Sequence, residues 1–269
     1  MKKYAIPCLL ILCLASVVAI WLGVGRDNAF KRDFPDMVSA GEIRIITGYN
    51  ALGYHISGDS TSGFNKELLT LLEQYSPVKF DLVVVNLVDD QINGLITGQY
   101  DVVASNISVT SKLRDSLSFT DPITLNKLVL VQRKPEFNSD IPPIRSQLDL
   151  AKKKLFIPKN SPAILRLQNL SHEIGDTIYY VEDPIYNSEQ LAMKVAAGEI
   201  EYAVCDLQNM KRIASKLPEI DFETNVGFTQ IEAWAVRQNS PILLDSLNSW
   251  LEKVKRTKEY ELLLKKYYD

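Results

Sequence analysis

The sequence predicts an α/β protein of two lobes, each a helix-covered, mostly parallel sheet, with a transmembrane helix in front of them. Strand-like apolar runs alternate with segments whose apolar residues recur at helical spacing. This alternation occurs twice, and a stretch with Pro135, Pro142 and Pro143 separates the two occurrences. Alternating strands and helices are typical of parallel sheets covered by helices, and their repetition indicates two lobes.

The first segment of the chain is long enough to cross a membrane. Residues 4–25 carry no charge and follow Lys2 and Lys3. A helix of that length spans a hydrocarbon core of about 30 Å. A cleaved signal peptide has a shorter apolar region, and a lipoprotein signal needs a small residue before its cysteine, which neither Cys8 nor Cys13 has. We therefore favour an uncleaved signal anchor over residues 1–25, with the rest of the chain exported.

Residues 26–39 are polar and form the expected spacer between this anchor and the first lobe. The first alternating unit then begins, and Asp89 or Asp90 is the expected cap of its second helix. Its elements are a strand over Ile43–Ile46, a helix from Phe64 to Tyr75, a strand over Leu82–Leu87, a helix containing Ile92 and Ile96, and a strand over Asp101–Ser105.

The second unit repeats the pattern and is followed by two C-terminal helices, the first opened by Ser240 and Pro241. Its order predicts a first lobe from residues 40–126 and 238–269, and a second lobe from residues 127–237. The predicted elements are strands over Val129–Arg133, Leu155–Ile157, Thr177–Val181, Glu201–Cys205 and Ala233–Arg237, with helices from Pro162 and from Ser188.

Composition and motifs exclude several classes of function. The formal net charge of −3 provides no basic surplus for nucleic acid. His55 and His172 lie far apart, and Cys205 is the only cysteine after residue 25, so no zinc-ligand spacing exists. The glycine fingerprints of phosphate and dinucleotide sites are absent, as is the nucleophile elbow of serine hydrolases. We therefore expect neither a metal nor a cofactor.

Polar loops that follow predicted strands are the candidate ligand-binding segments. In an open α/β sheet, ligands gather beyond the carboxyl ends of the strands, where loops and helix N-termini present free amides. Residues 47–54 follow the first strand, residues 105–110 follow the third, and residues 159–161 precede the helix opened by Pro162. Each segment is either part of a binding site or a turn with a helix cap.

The order of several motifs resembles the family 3 extracellular solute-binding proteins. The motifs are Gly63-Phe64 at a helix start, DVVASNISVT at 101–110, FTDP at 119–122, and AVR at 235–237 before a pair of helices. The resemblance covers residues 40–269 and implies the type II periplasmic-binding-protein fold. Residues 46–63 most resemble the N-terminal, non-catalytic domain of F-type membrane-bound lytic transglycosylases. Because those enzymes continue into a cleaving domain and this chain stops at Asp269, we expect no cleavage and no other enzyme activity.

The resemblance also implies roles for side chains of the first lobe. Tyr49 and Tyr54 occupy the place where binding proteins stack an aromatic ring on the ligand. Asn106, Ser108 and Thr110 occupy positions whose side chains and amides hydrogen-bond a ligand carboxylate. These five residues are the first-lobe half of the expected site.

The second-lobe half comprises Asn160 and Ser161, whose amides meet the same anionic group, and Asp206, which matches the acid that pairs with the ligand's α-amino group. Amino-acid binders of the family place an arginine where this chain has Leu113, and Arg114 is one residue later. One residue turns a helical side chain by about 100°. We therefore include Arg114 as a candidate and expect a small polar ligand rather than specifically a free amino acid.

The expected function is that of a binding protein anchored in the inner membrane, facing the periplasm, that closes on an amino-acid-like or cell-wall-derived ligand. The resemblance implies a membrane permease or peptidoglycan fragments as partners. Two alternatives differ in class. Some relatives on this fold are dehydratases, for which Asp206 would be the acid, and others are sensor domains without a transport partner. Turnover of prephenate-like acids would favour the dehydratase.

Overall fold

The computed structural model describes residues 31–268. Its strands are β1 (Glu42–Thr47), β2 (His55–Ser57), β3 (Ser60–Ser62), β4 (Lys79–Val84), β5 (Val102–Ser108), β6 (Leu117–Phe119), β7 (Thr124–Asn126), β8 (Leu128–Arg133), β9 (Lys154–Pro158), β10 (Tyr179–Asp183), β11 (Ala203–Asp206), β12 (Ile220–Asn225) and β13 (Gln230–Arg237). Its α-helices are α1 (Phe34–Ala40), α2 (Phe64–Glu73), α3 (Val88–Ile96), α4 (Ser111–Arg114), α5 (Ala163–Ile174), α6 (Ser188–Ala196), α7 (Leu207–Ile213), α8 (Pro241–Lys255) and α9 (Lys258–Tyr268).

The predicted membrane anchor, residues 1–25, lies outside the described residues. Within residues 31–268, no helix has both the length and the apolar composition needed to cross a membrane.

Each lobe is built on one mixed sheet. The first runs β4-β1-β5-β13-β6, with β7 also paired to β13, and the second runs β10-β9-β11-β8-β12. Only three neighbouring strands in each sheet are parallel, because β13 pairs antiparallel to β5 and β8 pairs antiparallel to β11. The expectation of mostly parallel sheets is therefore wrong, since strands next to the crossings between the lobes return in the opposite direction.

The second boundary between the lobes also differs from the predicted one. β13 lies between β5 and β6, with Glu232 opposite Ser108, so residues 230–237 belong to the first sheet and not to lobe two. The chain thus crosses between lobes at Lys127 and again at residues 226–229, between β12 and β13. Apolar periodicity locates a strand but does not identify its partner, which is why this boundary was misplaced.

Half of the predicted spacer is folded against the first lobe. Residues 34–40 form α1, in which Met37 is buried. The Phe34 ring lies 5.6 Å from that of Trp250 on α8. Asp33 begins the helix: its Oδ1 accepts from the Phe34 amide at 2.7 Å, and Asp36 accepts from the Asp33 amide in return. This capping box makes the segment a helix rather than a linker.

Separate hydrophobic cores stabilise the two lobes. Trp234 on β13 is fully buried under α2, α8 and α9, and its Nε1 donates to Asn65 Oδ1 at 3.1 Å. In the second lobe, Leu155 and Leu167 are buried on one face of the sheet, and Leu191 is buried on the other. Burying a side chain of this size contributes roughly 1.5–3 kcal/mol.

One buried carboxylate links three parts of the first lobe. Asp101 pairs with Arg44 at 2.9 Å, with Arg237 at 3.0 Å and with Arg32 at 3.3 Å. Although burial opposes ionisation, Arg44 and Arg237 hold the pKa of Asp101 below its ordinary value. The network fixes the segment before α1 to β1 and β13.

Candidate functional site

The candidate site is the cleft between the loops at the carboxyl ends of the two sheets. Several hydrogen bonds join the loops across it, including the following three. Glu189 Oε1 accepts from the Ala51 amide at 2.8 Å, Asn187 Nδ2 donates to Asn86 Oδ1 at 2.7 Å, and Asn160 Nδ2 donates to Asp89 Oδ1 at 2.7 Å. The lobes are therefore in contact around the rim of the cleft.

The loop after β1 forms one wall of the cleft. Tyr49 and Tyr54 are bridged through their backbones, the Tyr49 side chain is 48% exposed, and the Tyr49 carbonyl accepts from Asn187 Nδ2 at 3.2 Å. The loop packs tightly onto the start of α2: Gly63 has φ +136°, and a Cβ there would lie 2.3 Å from the Gly53 carbonyl oxygen. Only glycine fits this approach, which explains the Gly63-Phe64 motif.

The candidates from the end of β5 separate into an inner and an outer group. Asn106 Nδ2 donates to the Tyr268 hydroxyl at 2.7 Å, and Ser108 is buried opposite Glu232. Thr110 caps α4, since its Oγ1 accepts from the Leu113 amide at 3.3 Å. Asn106 and Ser108 therefore lie inside the lobe at the end of the sheet, whereas Thr110 begins the outer helix.

Leu113 and Arg114 have opposite environments on α4. Leu113 packs against the apolar cluster of Val103, Ile107 and Leu117, whereas the Arg114 side chain is exposed. The Arg114 carbonyl accepts from Gln238 Nε2 at 2.9 Å. Within residues 31–268 its guanidinium forms no ion pair, and its side chain lies at the protein surface.

The second-lobe candidates Asn160 and Ser161 both form hydrogen bonds within the protein. Asn160 has φ +55°, its amide donates to Glu182 Oε2 at 2.9 Å, and its side chain makes the contact to Asp89 described above. Ser161 Oγ accepts from the Ala163 amide at 3.2 Å, at the start of α5. Asn160 therefore lies on the rim of the cleft, and Ser161 caps a helix beside it.

Asp206 ends β11 at the base of the cleft. Ser188 Oγ donates to its Oδ2 at 3.1 Å, and the carboxylate makes no capping bond to α7. Burial raises the pKa of Asp206 above its ordinary value. The carboxylate is thus oriented by Ser188 and by the Asn209 side chain of α7, without an N-cap bond to the backbone of that helix.

Two further carboxyl groups near Asp206 were missed by sequence reasoning. Glu232 on β13 is only 2% exposed and accepts from Thr124 Oγ1 at 2.9 Å and from Asn126 Nδ2 at 2.7 Å. Burial, with a smaller contribution from Asp206, raises the pKa of Glu232 to about 8. Burial also raises the pKa of Glu189. The signal available in the sequence was an acid inside the apolar run IEAWAV.

Within residues 31–268, no three His, Cys, Asp or Glu side chains converge in an arrangement that could hold a metal ion. The carboxyl groups around the cleft are hydrogen-bonded by hydroxyl and amide groups instead, as described above.

Comparison with known proteins identifies the family. The model of the bacterial extracellular solute-binding proteins, family 3, matches residues 43–269. The chain belongs to that family. Its two-lobed α/β fold agrees with this: an ancestral amino acid-binding protein, described as a precursor of cyclohexadienyl dehydratase, superposes with a TM-score of 0.72 at 22% identity, over 87% of this chain and 99% of that one.

Curated proteins similar to this chain include membrane-bound lytic murein transglycosylases F. The protein from Methylobacillus flagellatus is 24% identical over 84% of this chain and 48% of its own length. The protein from Shewanella pealeana is 22% identical over 97% of this chain and 52% of its own length. This family 3 chain thus spans about half the length of these relatives, and the resemblance to the transglycosylase F group noted from residues 46–63 is confirmed.

Proposed function

We propose that this family 3 protein captures a small polar solute, amino-acid-like or derived from the cell wall, in the periplasm by closure of its two lobes. Residues 1–25 hold it at the inner membrane, and a permease or peptidoglycan fragments are its partners. The proposal is for a binding protein without catalytic activity. It is supported by the family and by relatives that are amino acid-binding in one case and membrane-bound in others.

The observation that carries the proposal is Asp206. Its carboxylate is partly buried at the base of the cleft, is oriented by Ser188 and Asn209, and makes no N-cap bond to α7. A buried charge without a cation is costly, and a ligand with an N–H donor removes that cost on binding. Tyr49, Tyr54, Asn106, Ser108 and Thr110 are the further ligand contacts that we propose for the first lobe.

On the outer side of the proposed site, Asn160, Ser161 and Arg114 provide the remaining polar groups. Because Asn160 already contacts Asp89 across the cleft, its role is to hold the lobes closed over the ligand. Arg114 reaches an anionic group of the ligand only if its exposed side chain folds back over α4. We therefore assign it to the larger, cell-wall-derived ligands.

The test is a thermal-shift and calorimetry screen of the full-length chain in detergent. Amino acids, short peptides and muropeptides are compared for the unaltered chain and for Asp206→Asn. We expect at least one class to raise the melting temperature, and Asp206→Asn to weaken its binding by tenfold or more. The matched control is Asp176→Asn, on the far side of lobe two. Asp183→Asn is not suitable, because Asp183 shapes the loop before α6. Turnover of any of these compounds, or the same affinity in Asp206→Asn, would contradict the proposal.

A further inference from the structure

A second set of contacts joins the lobes outside the cleft, beside the C-terminal helix. Arg212 of α7, in lobe two, donates to the Lys266 carbonyl in the last turn of α9 at 3.1 Å, and its guanidinium lies 5.2 Å from the centroid of the Tyr267 ring. A cation beside the final carbonyls of a helix interacts favourably with the helix dipole. Lobe two is therefore attached to the first lobe at α9 as well as at the rim of the cleft.

The first-lobe side of this contact is a hydrogen-bonded cluster of charged and polar groups. Glu67 of α2 accepts from Lys266 Nζ at 2.8 Å and from the Tyr267 hydroxyl at 2.6 Å. That hydroxyl accepts in turn from the Gly63 amide at 2.9 Å. The negative charge of Glu67 is therefore already paired with a cation of its own lobe.

His55, on the hairpin of β2 and β3, lies next to this cluster. Its Nε2 is 2.9 Å from Ser62 Oγ, whereas its Nδ1 is buried and has no hydrogen-bond partner within residues 31–268. The charged groups that act on the ring come from both lobes: Lys216 and Arg212 from lobe two, and Glu67 and Lys266 from lobe one. Because three of these four groups are cations, the surroundings of the ring oppose a further positive charge.

Protonation of His55 is unfavourable in this arrangement for two reasons. An imidazolium has an N–H at both ring nitrogens, so Nδ1 becomes a charged, buried donor without an acceptor. The new charge also repels Lys216 and Arg212 of the other lobe. Burial and these two cations accordingly lower the pKa of His55 below its ordinary value of 6.5.

We propose that His55 is a proton-sensitive switch of lobe closure. With a neutral ring, the contact between α7 and α9 forms and the lobes close; with a protonated ring, the lobes separate and affinity for the solute falls. Separation relieves the protonated ring because it moves Lys216 and Arg212 away and admits water to Nδ1. This inference rests on the proposed function, since it concerns regulation of the same cleft.

The direction of the pH effect follows from linkage. Protons bind more tightly to the open form, in which the pKa of His55 is nearer 6.5, than to the closed form, in which it is lowered. Affinity is therefore complete above about pH 6.5 and decreases as pH falls through the two pKa values. Lys216 and Arg212 are exposed, so water screens their charges. We expect the dissociation constant to rise about two- to fivefold between pH 7.5 and pH 5 because of His55.

Nuclear magnetic resonance of the histidine rings in the full-length chain, in detergent, tests the inference. The chain is labelled with carbon-13 at histidine Cε1 and titrated without solute and with saturating L-glutamine or L-arginine, whose net charges are constant between about pH 5 and pH 8. The only other histidine, His172, is exposed on α5 and is an internal control in every spectrum. By reciprocity, bound solute should lower the pKa of His55 and leave that of His172 unchanged. An unchanged pKa of His55 in the bound chain would overturn the inference.

Three variants locate the effect. Lys216→Gln removes a cation of lobe two and should raise the pKa of His55. His55→Gln keeps a neutral hydrogen-bonding side chain and should remove the two- to fivefold loss of affinity in acid that His55 causes. His172→Gln is the matched control and should retain that loss. Since the acids of the cleft titrate alike in all these chains, the difference between His55→Gln and the unaltered chain isolates His55.

Failure of this inference and failure of the proposed function give different results. If L-glutamine or L-arginine binds with the same pH dependence to the unaltered chain and to His55→Gln, the switch is wrong and the binding function stands. If neither these solutes nor any compound of the thermal-shift screen binds, the proposed function fails and the inference fails with it. The resonance titration uses the unaltered chain, so it decides the matter even where His55→Gln does not fold.

Discussion

The Glu232 carboxyl group ties the stability of the first lobe to pH. Its pKa is raised from 4.5 to about 8, so the folded chain binds a proton over a range where the unfolded chain does not. The stabilisation is therefore complete below about pH 4.5 and is lost as pH rises toward 8. We predict that the free energy of unfolding falls between pH 5 and pH 8, by at most about 1.4 kcal/mol per pH unit for this group.

Urea denaturation at four pH values in that range measures the effect. Asp206 and Glu189 shift in the same direction, so Glu232→Gln should show a shallower fall, not a flat line. The contribution of Asp101 to the pH dependence has the opposite sign. Because its pKa is lowered, the stability that it provides is lost only as the solution becomes acidic. Parallel curves for the unaltered chain and Glu232→Gln would mean that Glu232 is ionised in the folded protein.

At the scale of single residues, the sequence indicated some candidate side chains and missed others. Asp206 was named as a candidate through the resemblance to the family 3 proteins, whose acid it matches directly after the strand that ends at Cys205. Glu232 was missed because Thr124 and Asn126 form the environment of its carboxyl group. These two residues contact Glu232 only when β7 pairs with β13. The contrast between Leu113 and Arg114 was visible as a one-residue shift, but burial of the first and exposure of the second required the packed lobe.

At the scale of elements, Asp33 begins two helices at once. Its Oδ1 accepts from the Phe34 amide of α1 at 2.7 Å and from the Leu243 amide of α8 at 2.8 Å, and its Oδ2 accepts from the Ile242 amide at 3.1 Å. Losing one N-cap costs about 0.5–2 kcal/mol. We predict that Asp33→Ala lowers the free energy of unfolding by about 1–3 kcal/mol, measured by urea denaturation.

The matched control is Asp245→Ala, which removes an exposed acid within α8. It should change stability by less than about 0.5 kcal/mol. Equal effects of the two substitutions would show that charge, and not capping of both helices, explains the loss.

The order of strands and helices was largely predictable, whereas their limits and partners were not. β1 was expected over Ile43–Ile46 and spans Glu42–Thr47. β4 begins at Lys79, three residues before the expected Leu82, because half-exposed residues such as Phe80 blur its period. Leu87 is the N-cap of α3, so Asp89 and Asp90 lie in its first turn and not at the cap. The alternation of strands and helices is visible in the local sequence, whereas the pairing of strands depends on residues far apart in the chain.

Across the whole molecule, Asp89 connects the lobes on the rim of the cleft. It accepts from Asn160 Nδ2 at 2.7 Å and pairs with Lys159 Nζ at 3.2 Å, both from lobe two. Partly exposed pairs of this kind contribute about 0.2–1 kcal/mol. We predict that Asp89→Ala shifts the chain toward an open form and weakens solute binding about two- to fivefold.

Small-angle X-ray scattering of the chain without solute should show a larger radius of gyration for Asp89→Ala. Asp90→Ala is the matched control: it removes the neighbouring exposed acid of α3 and should leave the radius and the affinity unchanged. A more compact Asp89→Ala chain, or an equal effect of both substitutions, would contradict a role for Asp89 in closure.

The placement of β13 in the first sheet has a consequence for synthesis on the ribosome. Lobe two is one continuous stretch, from β8 to β12, and is complete once residue 225 has emerged. The first sheet then still lacks the strand between β5 and β6, and its core lacks Leu263 and Tyr267 until α9 is made. Domains fold as units during translation, and an unpaired strand edge invites aggregation. Nascent chains therefore need protection at β5, in the lobe that begins first and finishes last.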